Sequence, residues 1–166
     1  LMREIIFRGK RTYDSQWITG WLVELGRQSF SDNRRFGIAN KAVPLGTSSV
    51  CYNLKIDEVI PETVGQYTGL TDKNGKKIFE GDIVRTQPFS NKPYSSKAKY
   101  KQHIGVVEYR VRHFKNSLYE QDYEGKWIVK ISDYGKFTYC NWNDFFKCEV
   151  IGNIYDNLEL LPENNE

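Results

Sequence analysis

The side chains best suited to covalent chemistry are Cys51, Cys140 and Cys148 with His103 and His113. A thiol becomes a useful nucleophile when a base takes its proton and a third group orients that base, so Cys140 or Cys148 with either histidine, and Asp144 as the carboxylate, is the natural set. The spacing does not support it, because no two of these residues share a local motif and small cysteines on strands behave mostly as core. Without a C-x-x-C pair, zinc gains no local help in assembling a tetrahedral site. Glu80 and Asp82 form a second pair: two apart on a strand they share a face, and two carboxylates can do acid and base work or hold a divalent cation. Gly81-Asp82 is also a turn signal, and an Asp in that place more often accepts backbone N–H groups. Phosphate-binding loops, G-x-S-x-G and H-E-x-x-H are absent. No catalytic residue, metal or cofactor is therefore assigned; a small hydrolase or nuclease using Cys140 with a histidine, or Glu80 and Asp82 with a divalent metal, is the alternative.

Binding chemistry is better represented. Lys92, Lys97, Lys99 and Lys101 alternate with Tyr94 and Tyr100, followed by Arg110, Arg112 and Lys115. Cations interleaved with rings suit a single-stranded nucleic acid, whose phosphates and bases need both. A lysine-rich loop that keeps a sheet edge soluble is the competing explanation. The loop itself, Thr86 to Gln102, exceeds the length usual inside a compact domain. Trp17 and Trp21 suggest a stacking platform as well, but large aromatics on one strand face are mostly core, and the core reading is preferred.

The elements that must position these residues read as strands. With 39% hydrophobic and 14% aromatic residues, including eleven Tyr and nine Phe, the composition favours half-buried pleated surfaces. A net charge of +3 is too small to single out nucleic acid. Alternation places Trp17, Thr19, Trp21, Val23 and Leu25 on one face of a strand. Gly26 to Asn40 reads as an exposed hairpin end, and Pro61 stops pairing after a strand from Val50. The organising stretch is Gln66 to Val84. Asn74-Gly75 predicts a type I′ turn, with Gly81-Asp82 as a second tight turn. Beyond it the order is strand from Ile83, long loop, three strands, a single helical turn at Asn141 to Phe146 and a last strand from Cys148 to Tyr155. Val107, Tyr109 and Val111 are expected on its core side, as are Trp127, Val129 and Ile131. That order matches an SH3-like barrel.

The organising stretch, with Met2 to Lys10 and Glu149 to Asn157, resembles the signature of the YopX family of small bacteriophage and prophage proteins. The resemblance implies an N-terminal β-rich part, an SH3-like C-terminal part and no established biochemical activity. The expected fold is thus all-β, with a β-rich subdomain at 2–65, the hinge and SH3-like barrel at 66–161, and a frayed tail at 162–166. The expected role is that of a non-catalytic phage or prophage accessory protein binding an unknown host or phage macromolecule. No apolar run spans a membrane and no signal-peptide core opens the chain, so a cytoplasmic place in the bacterial host is expected. Open sheet edges and aromatic surface also suggest homo-oligomerisation.

Overall fold

The structure, a computed structural model, describes residues 4–27, 34–44, 52–88, 102–115, 121–133, 136–140 and 147–162. Among the described residues, runs rich in β-branched and aromatic residues form eleven strands: β1 (Phe7–Lys10), β2 (Trp17–Arg27), β3 (Arg34–Pro44), β4 (Tyr52–Val59), β5 (Gly65–Thr71), β6 (Lys77–Phe79), β7 (Asp82–Arg85), β8 (Ile104–Lys115), β9 (Gln121–Asp133), β10 (Lys136–Cys140) and β11 (Glu149–Asn153). The stretch expected to be only a hairpin end supplies most of β3. The chain divides into two units, Leu1–Gly69 and Leu70–Glu166.

A six-stranded sheet has the order β4-β3-β2-β1-β5-β6, and a five-stranded sheet the order β10-β9-β8-β7-β11. The expected SH3-like barrel is not formed. β10 and β11 lie at opposite edges of the second sheet, which stays open, and β6, assigned in advance to the barrel, belongs to the first sheet. Closing five strands requires them to tilt and bend sharply at glycines or bulges. Here β8 and β9 pair without a break from Val106↔Lys130 to Lys115↔Gln121. The expected helical turn at 141–146 lies outside the described residues.

In the first unit, alternation gives the sheet two unlike faces. One carries Ile38 and Val59, which are fully buried. Gly9 lets them approach, since a Cβ there would meet Val59 Cβ at 3.1 Å and Ile38 Cδ1 at 3.3 Å. Just beyond β1, Thr12 N–H donates to the Glu58 carbonyl at 3.1 Å and Ile60 N–H to the Lys10 carbonyl at 2.8 Å, which caps that end of β4. In the second unit Leu70, Ile78, Val84, Val107, Trp127, Val129, Ile131, Cys148 and Val150 form one apolar cluster. Tyr109 and Val111, expected inside with Val107, are about half exposed, because the hairpin extends past that cluster.

Candidate functional site

The sequence-derived candidates end in different places. Lys92, Tyr94, Lys97, Lys99, Tyr100 and Lys101 lie outside the described residues, as does Asp144. Arg110 sits half-buried on β8 opposite Lys126 of β9, and Arg112 lies opposite Glu124 in backbone register. Beside them Lys130 Nζ donates to Glu108 Oε1 at 3.1 Å. Cys140 is placed on β10, opposite Val129.

Two carboxylates of the organising stretch, Asp72 and Asp82, are bound to backbone. Asp72 Oδ1 accepts the N–H groups of Asn74 at 2.8 Å and Lys76 at 2.9 Å, while Oδ2 accepts that of Val150 at 3.0 Å. Burial alone would raise its pKa, but the three donors outweigh it and hold the carboxyl below its ordinary range. The turn differs from the type I′ form. Asn74 does not have positive φ; Gly75 alone does, at 81°, with its N–H bonded to the Asp72 carbonyl at 3.0 Å and Asp72 N–H bonded to the Lys76 carbonyl at 2.8 Å. That is the three-residue hairpin in which a glycine supplies the left-handed bulge position. Gly81 also has positive φ, 78°. Its N–H bonds the Val107 carbonyl and its carbonyl takes the Ile154 N–H. Asp82, 1% exposed, accepts the Phe79 N–H at 2.8 Å, three residues back along the chain.

Cys148 is equally enclosed. Burial first, then the negative charge of Asp72, pushes its thiol up to about 12, far from nucleophilic character at neutral pH. His103 is buried too, its backbone exchanging bonds with Thr86: N–H to Oγ1 at 3.1 Å, and carbonyl to the Thr86 N–H at 2.8 Å. Among the described residues no group of three or more His, Cys, Asp and Glu stands together to hold a metal ion.

An exposed apolar surface lies on one face of the first sheet. Trp21 is 58% exposed, which overturns its core assignment. Its cross-strand neighbour is Ala39, and Ala39 faces Ile56, so the three form a row across β2, β3 and β4. Ile56 is 39% exposed, and Leu25 and Leu54 are also open to solvent. Gly37 forms the floor beside them, since a Cβ there would meet Ile56 Cγ2 at 2.5 Å and Leu25 Cδ1 at 3.2 Å. Toward β1, Arg8 is paired with Thr19 and Lys10 with Trp17. The Arg8 guanidinium lies 4.8 Å and the Lys10 ammonium 5.5 Å from the centre of the Trp17 ring, within cation–π range. At the other end Arg35 grips Glu58 through two bonds of 2.7 Å. Those bonds hold the Glu58 carboxyl below its ordinary range. The alternation of β2 was readable in advance. The exposure of its Trp21 face was not, because it depends on which face the rest of the unit covers.

The described residues thus form an antiparallel β-protein of two open sheets, one of them with an aromatic, cation-edged face. The YopX protein family matches residues 6–162, and the chain belongs to that family of phage and prophage accessory proteins. It is similar in fold to a crystal structure of protein EF1440 from Enterococcus faecalis, at 22% sequence identity and a TM-score of 0.52, over 97% of this chain and 100% of that one. No curated protein matches it in sequence. Among the described residues no helix is long and apolar enough to cross a membrane.

Proposed function

We propose that this accessory protein acts by binding a macromolecule, and that the binding surface is the Trp21 face of the first sheet. The observation that carries the reading is Trp21 itself. Leaving so large an apolar ring in water forgoes the roughly 2 to 3 kcal/mol that its burial would contribute. Single exposed apolar residues are ordinary, but Trp21, Leu25, Leu54 and Ile56 share one face with charged groups at two of its ends. An apolar centre with a charged rim is the anatomy of a recognition surface.

The test compares the natural chain with Trp21→Asp. Each is tagged, expressed in phage-infected cells and recovered, and its co-purifying protein and nucleic acid are identified. The natural chain should retain a species that the variant loses while circular dichroism shows both folded. Identical retention would remove this face from the function. The same preparations, screened for hydrolase and nuclease turnover with and without divalent metal, address the enzymatic alternative. A turnover abolished by Cys140→Ala or Glu80→Gln would establish it instead.

A further inference from the structure

We propose that the open edge of β4 is a dimer interface, on which β4 of a second copy of this chain pairs antiparallel with Leu54 on the twofold axis. β4 ends the first sheet, with β3 on one side and, among the described residues, no strand along the other before the Arg11↔Val59 bridge. The direction of its outer backbone groups is fixed at that bridge. Thr12 N–H reaches the Glu58 carbonyl and Ile60 N–H the Lys10 carbonyl, so Glu58 and Ile60 point away from β3. Strand alternation then turns the N–H and C=O groups of Tyr52, Leu54 and Ile56 the same way. The cap from Thr12 stops at Glu58. Leu54 is 53% and Ile56 39% exposed, and the Lys55 side chain is 58% exposed, so this part of the edge is open to solvent.

An unpaired edge invites another strand, and proteins ordinarily blunt it by shortness, proline, bulges or cover. β4 has eight residues, more than the other edge strands β6, β10 and β11, and holds neither Pro nor Gly. The bulge beside it lies in β3, at Asn40, and leaves β4 regular. β11, by contrast, carries its own irregularity between Val150 and Gly152, and Asp72 takes the Val150 N–H. The outward groups of β4 call for a strand, and the spacing of its charges lets that strand be its own copy. With Leu54 opposite Leu54 of the second copy, Ile56 falls opposite Tyr52 and Lys55 opposite Asn53. Each outward residue then exchanges two backbone bonds, and no like charges meet. Moving the axis to Lys55 sets two cations face to face and brings Tyr52 against the capped Glu58. Moving it to Asn53 leaves Ile56 opposite residue 50, beyond the end of β4. The contact is isologous, so it closes at two copies.

The experiment follows the mass of the purified full chain by sedimentation velocity across a dilution series. A dimer that dissociates on dilution is expected. Leu54→Lys and Leu54→Asp, each alone, should weaken it about tenfold or more, because like charges then face each other across the axis. Both variants should stay folded by circular dichroism, since the side chain they replace is exposed. An equal mixture of the two should restore the dimer, because opposite charges then meet at the axis. Trp21→Asp, on the face and not the edge, should leave the dimer intact, so the binding surface and the dimer edge can fail separately. A chain that is monomeric at every dilution overturns the inference. So does a dimer untouched by the Leu54 variants, or one that both variants abolish and their mixture fails to restore. A dimer lost with Trp21→Asp would move the contact to the face and also overturn it. A monomeric chain that loses a co-purifying protein on Leu54→Lys would give the edge to a foreign strand, with the same consequence.

Discussion

In the first unit Trp21, one of the most apolar side chains available, stands in water, whereas in the second unit Asp72 and Asp82 are almost sealed from it. Both placements run against simple transfer energetics, and the way each is compensated separates structure from function. A buried carboxylate is tolerable when donors replace its water, and Asp72 has three backbone N–H groups in place. The exposed indole has no such internal compensation. The fold explains Asp72; for Trp21 the proposed binding role is what remains to be tested.

The sharpest way to break this contrast is to remove the buried anion. Asp72→Ala strands three N–H donors and removes the carboxylate's bond to β11, leaving Lys73 to hold the loop to Cys148 and Glu149, so a loss of about 3 kcal/mol is expected in urea melts. A loss below about 1 kcal/mol would show that the carboxylate is not what holds Val150 and the loop together. The same carboxyl imposes a pH dependence. Its folded pKa is depressed, so its contribution is fully present above the ordinary carboxylate value near 4 and fades as pH falls through the lower folded value. Acid destabilisation below about pH 4 should therefore be shallower in Asp72→Asn, and an unchanged acid limb would contradict the linkage.

Next in size are the two turn glycines. Gly75 and Gly81 have φ of 81° and 78°, and a Cβ at Gly75 meets nothing within 4 Å while one at Gly81 reaches only Tyr155 and Ile154 at ordinary contact distance. Steric crowding is therefore not the issue. Valine at either position pays for backbone conformation, on the order of 1 to 3 kcal/mol, and the two losses should be alike. If Gly75→Val costs nothing in a denaturant melt, the loop relaxes freely and does not anchor Asp72.

These turns also show where the sequence was legible. Asn74-Gly75 and Gly81-Asp82 announce reversals because few residues accept positive φ, a local rule needing no knowledge of the fold. Local rules cannot say whether Asn74 shares that conformation. The three-residue form is favoured once Asp72 has bonded both Asn74 and Lys76, and its third bond, to Val150, comes from 78 residues away. The barrel expectation failed for a similar reason. Strand order along the chain is compatible with a closed barrel or an open sheet, and the decision lies in bends that β8 and β9 do not make. For the candidate site, period-two alternation grouped Trp17 with Trp21, but a strand has two faces and the pattern does not label which one is covered. Ile38 and Val59, on neighbouring strands, took the covered one.

The smallest expected effect on stability is the one that bears most on function. Trp21→Ala removes a side chain whose larger part already faces solvent, so the melt should move by no more than about 0.5 kcal/mol, although only Trp17 matches it in size on its strand face. Ile38→Ala, on the covered side of the adjacent strand, should cost about 2 to 5 kcal/mol for a smaller side chain. Size therefore predicts the wrong order, and the two faces of one sheet become distinguishable in a single pair of urea melts. Were Trp21→Ala to cost as much as Ile38→Ala, the indole would be a packing element, and the proposed binding face would lose the observation on which it stands.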